Sequence, residues 1–185
     1  MTIDLPRPDA PTPIAVIRDF VNTTDHETGT DEITTPDALA GHLRQAGLLQ
    51  SGNVVATDED LVAARRLRAG LRLALEQNHG SPMSPIPMLS QELGELPIAL
   101  DWSDGGPILR SAGVGVRDAL ARIGLAAYES AAKDMWWRLK ICAFDDCSWA
   151  YYDHSKNRSR NWCEYGCGNK VKTRAYRARQ RALQS

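Results

Sequence analysis

All four cysteines of the 185-residue chain lie in residues 141–183, which read ICAFDDCSWAYYDHSKNRSRNWCEYGCGNKVKTRAYRARQRAL. Four residues separate Cys142 from Cys147, and three separate Cys163 from Cys167. Fifteen residues lie between the two pairs. Such spacing is typical of a tetrahedral Zn²⁺ site with four thiolate ligands, because each pair can close a short loop around one edge of the ion. The pattern predicts one structural zinc ion, since four thiolates leave no open coordination position.

Two disulfide bonds are the alternative use of four cysteines, and they require an oxidising compartment. Residues 1–13, MTIDLPRPDAPTP, show no basic start followed by an apolar run, so they do not predict a secretory signal. We therefore expect a cytoplasmic protein whose thiols stay reduced and available to zinc. No apolar run approaches the roughly 18 residues that span a bilayer, so no membrane association is predicted.

A basic helix is predicted directly after the second cysteine pair. Residues 170–185, KVKTRAYRARQRALQS, place lysines and arginines at three- and four-residue steps. The second pair would then lie at the N-terminus of this helix, where backbone N–H groups and the helix dipole favour thiolate charge. The first pair would form a knuckle leading into a hairpin, predicted between residues 148–153 and 158–162. Knuckle, hairpin and helix together predict a treble-clef-like finger.

Charge is divided unequally along the chain. The net charge is −1, but residues 135–185 hold eleven Lys and Arg against four Asp and Glu, and residues 1–134 hold eleven against nineteen. An acidic N-terminal part joined to a basic tail is the pattern expected when only the tail binds a polyanion. The alternative is a basic tail that folds back onto the acidic part.

The cysteine pattern and its neighbours resemble the CGNR zinc finger. Besides the cysteines, the resemblance rests on Trp149, Asp153, Ser155, Arg158, Arg160, Trp162, Gly168, Asn169, Lys172, Tyr176 and Arg179. The family is named for a Cys-Gly-Asn-Arg motif, and the fourth position here is Lys170, which keeps the positive charge but loses the bidentate fork of arginine. The resemblance implies an N-terminal helical domain of the ABATE type, in a group regarded as stress-induced transcription regulators. Residues 19–23, DFVNT, resemble the opening motif of ABATE domains.

Three regions are predicted. Residues 1–13 contain four prolines and few apolar side chains, which indicates a disordered leader. Residues 14–138 are expected to form an ABATE-like, mostly helical domain, and residues 139–185 the zinc finger with its basic C-terminal helix. The fold class is therefore a mainly α body with a small β-hairpin (α+β), followed by a treble-clef-like four-cysteine finger.

Periodicity and turn residues predict the elements of the N-terminal part. These elements are a helix or strand over 14–23, helices over 36–49, 57–80 and 114–142, and a β-hairpin over 97–112 with its turn at 103–106. Four arginines lie off the apolar stripe of the second helix and are expected on a solvated face: Arg65, Arg66, Arg68 and Arg72. Trp136 and Trp137 are expected to pack between the two modules.

The basic finger favours a zinc-dependent, DNA-binding transcription regulator. Double-stranded DNA would be contacted by Arg158, Arg160, Asn169, Lys170, Lys172, Arg174, Arg177 and Arg179. The N-terminal domain would sense a small-molecule ligand or mediate homodimerisation, since a single finger covers too small a surface for tight specific binding. Asn22 and Thr23 could line a ligand pocket, although the preferred interpretation is an end-cap or turn that uses their side-chain hydrogen bonds.

Two other functions remain open. With Asp145, Asp146 and Trp149 on the knuckle, the finger could be a zinc-stabilised module that docks onto transcription machinery. A pocket in the N-terminal domain could make the protein an enzyme. However, the sequence shows no Ser/His/Asp, Cys/His or H-E-x-x-H arrangement, and the four histidines are scattered. The sequence therefore predicts a regulator and not an enzyme.

Overall fold

The structure is a computed structural model that describes residues 12–50, 54–80, 82–103, 105–164 and 166–182. Residues 1–11 of the predicted leader lie outside these ranges. The described α-helices are α1 (Thr12–Val21), α2 (Pro36–Gln45), α3 (Asp58–Glu76), α4 (Pro87–Gly94), α5 (Gly115–Ala132) and α6 (Cys167–Ala182). The described strands pair antiparallel as β1 (Thr24–Asp25) with β2 (Thr30–Asp31), β3 (Ile98–Ser103) with β4 (Gly106–Ser111), and β5 (Leu139–Ile141) with β6 (Ala150–Tyr152). The predicted fold class, mainly helical with a small hairpin, is confirmed.

Helix α1 settles the choice between helix and strand that the sequence left open. Its buried residues are Ile14, Ile17, Phe20 and Val21. They recur at three-, three- and one-residue steps, which places them on one face of a helix. That face is turned into the apolar core of the protein.

The predicted starts of α2 and α3 are confirmed. Pro36 occupies the first turn of α2, behind the N-cap Thr35. Thr57 caps α3 in a capping box, in which its hydroxyl accepts from the backbone of Asp60 and the Asp60 carboxylate accepts from the backbone of Thr57. Such a cap contributes about 1 kcal/mol. Gly80 takes a left-handed φ of 85° and ends this segment, as expected.

One apolar core holds α1 to α5 together, and we call residues 12–132 the body. Phe20 of α1, Leu71 of α3 and Ile123 of α5 are each 1% exposed or less. Helix α4 comes very close to α3 at Gly70, where an added Cβ would lie 2.8 Å from the Cβ of Leu89. Glycine at this position therefore lets the two helices pack directly against each other.

The hairpin predicted over residues 97–112 is confirmed as β3 and β4. Ser103 pairs with Gly106 across the turn, in which Gly105 has a left-handed φ of 87°. Leu100 and Trp102 share one face of β3 and are 72% and 75% exposed. The hairpin therefore presents an apolar face that no described part of the chain covers.

The long helix predicted before the first cysteine pair is wrong in its second half. Helix α5 ends at Ala132, Asp134 takes a left-handed φ of 55°, and a short 3-10 helix leads into β5. The side-chain amide of Asn78 donates to the carbonyls of Trp136 and Leu139, at 3.0 and 2.8 Å. These long-range bonds stabilise the extended conformation, and an apolar run that suits either structure cannot reveal them.

The tryptophan pair after α5 is divided between core and surface. Trp136 packs in the core of the body and is 9% exposed, whereas Trp137 is 38% exposed. Adjacent side chains point in different directions, as the sequence predicts, and Trp136 provides the contact with the body.

The hairpin of the finger is formed by other residues than those predicted. Strand β5 pairs with β6, and the first cysteine pair lies in the loop that joins them. The pairing predicted between residues 148–153 and 158–162 is wrong, because residues 158–162 form no strand. A three-residue strand such as β5 is too short for its periodicity to be recognised.

A buried ion pair holds the segment after β6 as a loop. Lys140 Nζ lies 3.0 Å from the Asp153 carboxylate, and neither side chain is more than 3% exposed. Lys140 also donates to the carbonyls of Arg158 and Arg160, while Asp153 accepts from the backbone N–H groups of Ser155 and Arg160. Because side chains already satisfy these backbone groups, they do not pair as a strand.

The solvated face expected for the α3 arginines is correct for Arg65 and Arg66 and wrong for the other two. Arg68 is 8% exposed and binds both carboxylate oxygens of Asp31 at 2.7 Å. Arg72 is partly buried and donates to backbone carbonyls of the body and of the knuckle. The part of α3 that carries Arg68 and Arg72 is therefore covered by β2 and by the cysteine region, whereas Arg65 and Arg66 face solvent.

None of the described helices combines the length and the apolarity that crossing a membrane requires.

Candidate metal centre and nucleic-acid interface

The four cysteines converge on one point, and we call residues 139–182 the finger. Their Sγ atoms all lie within 4.8 Å of one another, and all four residues are buried. The Sγ of Cys163 is 3.6 Å from that of Cys147 and 3.5 Å from that of Cys167. A zinc–sulfur distance of about 2.3 Å implies sulfur–sulfur separations of about 3.8 Å in a tetrahedron, whereas disulfide sulfurs are about 2.05 Å apart. The geometry is that of a metal centre and not of two disulfides.

Local backbone structure positions each pair of cysteines. Cys142 follows β5, and its N–H donates to the carbonyl of Trp149 at 2.8 Å. This bond lies beside the pairing of Ile141 with Ala150, the last pair between β5 and β6. Cys163 donates its own N–H to the Sγ of Cys142, at 3.4 Å. Cys167 is the first residue of α6, after Gly166 with a left-handed φ of 73°. The predicted location of the second pair at a helix N-terminus is thus correct for Cys167.

The pKa values of two cysteine thiols in the cluster are shifted in opposite directions. A hydrogen bond with Cys163 lowers the pKa of Cys142 to about 5, whereas burial raises the pKa of Cys147 to about 12. Metal coordination deprotonates thiols, so all four cysteines would bind a divalent cation as thiolates.

The donor set fits a single zinc ion. Four buried sulfur donors at tetrahedral spacing are the ligand type that zinc takes in structural sites. Cys142, Cys147, Cys163 and Cys167 would occupy every coordination position, so no position remains for a substrate or water. The centre can hold one structural zinc ion, as the sequence predicts.

A four-cysteine finger joined to a helical body defines a class of two-part zinc proteins. Residues 138–180 match the family of the CGNR zinc finger. Residues 15–134 match ABATE, the family described as "Putative stress-induced transcription regulator". Because this second match covers more than half of the chain, the protein belongs to the ABATE family, and it carries a CGNR zinc finger. Both resemblances noted in the sequence are confirmed. No curated protein shows a significant match to the chain.

Helix α6 is exposed along almost its whole length. Cys167 is its one buried residue, and every residue from 172 to 182 is exposed. The helix carries six lysines and arginines and no acidic residue: Lys170, Lys172, Arg174, Arg177, Arg179 and Arg181. The predicted basic helix is present in the structure, and it projects from the metal centre.

Two predicted DNA contacts on α6 are already engaged by carboxylates. Lys170 Nζ lies 2.6 Å from the Glu27 carboxylate of the β1–β2 loop. Arg174 lies 2.5 Å from the Asp146 carboxylate of the knuckle and stacks over the Phe144 ring, 4.6 Å from its centroid. The first of these pairs is a contact of the kind expected from a basic tail folded back on an acidic body, and it involves only the first turn of α6.

The remaining predicted DNA contacts fall into two groups. Arg158 pairs with Asp134, and Arg160 bonds the carbonyl of Trp162 at 2.7 Å and the Glu164 carboxylate at 3.2 Å. The exposed group on α6 has no carboxylate partner among the described residues: Asn169, Lys172, Arg177 and Arg179. The structure thus brings the α6 residues onto one exposed helix but keeps Arg158 and Arg160 in the loop beside it.

An open groove runs between the knuckle and α6. Its volume is about 370 Å³, and its lining is Phe144, Asn169, Lys170, Thr173, Arg174 and Arg177. Four of these residues are among the sequence-predicted DNA contacts. The groove therefore combines an aromatic wall with basic side chains from one face of the helix.

The side chain of Asn22 connects the body to the finger. Its amide donates to the carbonyl of Ala150 at 2.9 Å and accepts from the N–H of Ala150 at 2.8 Å. Thr23 lies at the end of α1, where its hydroxyl donates to the carbonyl of Phe20 and accepts from Arg68. Asn22 also borders a cavity of about 310 Å³, whereas Thr23 does not line it. The ligand role of these two residues stays a prediction.

The sequence pattern missed several residues that hold the finger on the body. Arg72 donates to the carbonyl of Ser148, and His79 Nε2 lies 2.6 Å from the carbonyl of Ile141. The sequence also missed Lys140, which is buried within the finger and bonds Asp153 there. Each of these side chains bonds a partner distant in sequence, so only the tertiary structure reveals its role.

Proposed function

We propose that the protein regulates transcription by binding double-stranded DNA through α6 in a zinc-dependent manner. The observation that carries this proposal is an exposed helix whose charged residues are all basic and whose first residue belongs to the four-cysteine metal centre. Zinc would fix the helix against the knuckle, and phosphate contacts would supply most of the affinity. A zinc-binding regulator is consistent with both matched families, neither of which is described as an enzyme.

Within this interface, the basic residues would act in two ways. Lys172, Arg177 and Arg179 would contact phosphates directly. Lys170 and Arg174 would exchange their intramolecular carboxylates for phosphates when DNA binds. Asn169, exposed in the first turn of α6, would be close enough to the duplex to reach a base edge in the major groove.

The test is DNA selection with zinc-loaded, full-length protein, in parallel with the double variant Arg177→Gln/Arg179→Gln. We expect the unmodified protein to recover a sequence motif and the variant to lose most of its affinity. If both side chains contact phosphates, the salt dependence of the variant should be flatter by about 1.8 in the log–log slope.

The matched control is Arg65→Gln/Lys133→Gln, which removes the same charge from exposed positions outside the finger. It should bind DNA as the unmodified protein does. Equal loss in both double variants would mean that net charge alone governs binding, and the proposed interface would then be rejected.

We also propose that two copies associate through the β3–β4 hairpin. Its exposed face carries Leu100, Trp102 and Leu109, and an uncovered apolar patch of this kind is typical of an interaction surface. A dimer would present two basic helices and would read a two-fold symmetric site. The double variant Leu100→Ser/Trp102→Ser should sediment as a monomer and select asymmetric sites. A monomeric unmodified protein would contradict this part of the proposal.

Docking of another protein onto the finger is the second candidate function. The groove between Phe144 and α6 favours it, because an aromatic wall beside basic side chains also suits an acidic peptide. Failure to select any DNA motif, with zinc still bound, would favour this function. Either function requires reduced thiols, so the proposal includes a reducing compartment such as the cytoplasm.

A further inference from the structure

A second cavity lies in the body, far along the chain from the metal ligands. It has a volume of about 360 Å³ and is bounded by the first turns of α3, the C-terminal end of α4 and the start of α5. This size is near the lower limit of small-molecule sites. Charged side chains from all three helices line it, together with the apolar Val62 and Ala63.

Glu92 is the unusual residue of this cavity. Its side chain is only 3% exposed, and its Oε1 has no hydrogen-bond donor. Arg117 forms a long ion pair with Glu92, with Nη1 3.7 Å from that oxygen, and its Nε lies 4.0 Å from the Asp60 carboxylate. The Nη1 atom is buried and has no hydrogen-bond acceptor. Burial, reinforced by the nearby Glu95, raises the pKa of Glu92. Buried polar atoms are rarely left without hydrogen bonds, and a ligand that carries both a donor and an acceptor would satisfy these two atoms.

The charge of the lining selects the kind of ligand. Four carboxylates, those of Asp58, Glu59, Glu92 and Glu95, outnumber the guanidinium groups of Arg66 and Arg117. A positively charged group is therefore favoured over a lone anion. A metal ion fits poorly, because among the described residues only the four cysteines bring three or more ligating groups together. The apolar side chains suit the methylene carbons of an organic cation.

We infer that this cavity binds a small organic ammonium compound that also carries an oxygen acceptor, the shared chemistry of amino alcohols and amino acids. The ammonium group would donate to the Glu92 carboxylate, and the oxygen would accept from Arg117. The inference deepens the ligand-sensing role of the body and rests on the proposed function for its biological meaning. Binding itself is measured without DNA, so a failure of DNA recognition and a failure of this site are distinguishable.

The experiment is isothermal titration of zinc-loaded, full-length protein with ethanolamine and with glycine, in low salt at neutral pH. Acetate is the anionic control probe. We expect heat of binding with at least one of the two ammonium compounds and none with acetate. Ethanolamine alone would identify a hydroxyl acceptor, and glycine alone a carboxylate acceptor. Absence of binding by both, or equal binding of acetate, would overturn the inference.

Two variants and one control make the result specific to the cavity. Glu92→Gln keeps the size of the side chain and removes its charge, so affinity should fall at least tenfold. Val62→Trp places a large ring at a half-exposed lining position and should also abolish binding. Glu129→Gln removes an exposed carboxylate outside the lining and should leave affinity unchanged. Unchanged affinity in both cavity variants would show that the compounds bind elsewhere.

The stability of the Glu92→Gln variant gives an independent measurement. A neutral amide costs less to bury than a carboxylate without a donor. We therefore expect the melting temperature of Glu92→Gln to equal or exceed that of the unmodified protein. Ethanolamine or glycine should raise the melting temperature of the unmodified protein but not that of the variant. A strongly lowered melting temperature would mean that Glu92 is a satisfied structural residue, and would contradict the inference.

Discussion

The body and the finger are stabilised by different forces. The body buries the apolar faces of α1, α3 and α5 in one continuous hydrocarbon core. The finger has a much smaller cluster, in which the four cysteines are packed with Phe144 and Tyr151. So small a cluster supplies little hydrophobic free energy, and metal binding must provide most of the stability of the finger.

The two parts nevertheless share one element. Strand β5 and its partner β6 turn Leu139, Ile141 and Ala150 into the core of the body, whereas Tyr151 faces the cysteine cluster. Side chains of a strand alternate between its faces, so one short hairpin serves both cores. The finger therefore shares its packing with the body, although we expect its own stability to depend on zinc.

Loss of zinc should have the largest effect. In Cys163→Ser, we expect the ion to be lost and residues around the knuckle and α6 to unfold, because finger peptides gain about 10–16 kcal/mol from zinc. Helical circular dichroism from the body should persist. Zinc content and tryptophan fluorescence would report the change, and Ser159→Ala, at an exposed position, is the control. One zinc ion per chain in the cysteine variant would contradict the assignment.

Loss of the buried Lys140–Asp153 ion pair should have the second-largest effect. Lys140→Met leaves the Asp153 carboxylate buried without its cation, which should lower the free energy of unfolding by about 3–5 kcal/mol. Lys156→Met makes the same change at an exposed position and should have almost no effect. Urea unfolding of zinc-loaded protein provides the measurement. A small loss for Lys140→Met would mean that zinc alone organises this loop.

Loss of the hydrogen bonds between the body and the finger should have the third-largest effect. Asn22→Ala removes both hydrogen bonds to Ala150 and leaves a buried N–H and a buried carbonyl unpaired, at a cost of about 2–4 kcal/mol. Asn157→Ala, at an exposed position of the finger, should change stability by less than about 0.5 kcal/mol. If zinc-loaded Asn22→Ala melted in one transition at an unchanged temperature, the two parts would not be coupled through this residue.

The smallest predicted effect is confined to the body and depends on pH. The hydrogen bond from Arg68 lowers the pKa of Asp31. The folded pKa lies below the unfolded one, so this contribution is complete above the unfolded pKa, about 3.9, and is lost as pH falls through the folded value.

Asp31→Asn tests that contribution directly. It should lower the free energy of unfolding by about 1.5 kcal/mol at pH 7, where the unmodified carboxylate binds Arg68. The difference between the two proteins should vanish below the folded pKa. A difference that persists unchanged in strong acid would assign the effect to packing and not to charge.

Much of the body could be predicted because its signals are local. Pro36 and Thr57 start helices through their own backbone chemistry, and the glycines near residue 105 permit the tight turn of the β3–β4 hairpin. The end of α5 could not be predicted in the same way. No proline or glycine marks it, and the carbonyls of Trp136 and Leu139 are instead bonded by Asn78, which lies far away in sequence.

The metal centre was predictable and the polar junction was not. Spacing alone identified all four cysteines, because the tetrahedral geometry of zinc restricts how ligands are arranged along a chain. Arg72 and Lys140 look like ordinary surface cations in the sequence. Their partners are backbone carbonyls and a carboxylate, and the position of those groups depends on the completed fold.

The sequence by itself determined the metal ligands, the basic helix and the helical class of the body, since each depends on periodicity or on spacing within a short segment. Only the tertiary structure decided that β5 joins two cores, that Asn22 bonds the finger, and that Glu92 and Arg117 meet at a cavity as a long ion pair with no hydrogen bond between them. The physical reason is the distance along the sequence over which each interaction acts. Covalent spacing and backbone propensity act over a few residues, whereas burial and polar satisfaction depend on groups that folding brings together.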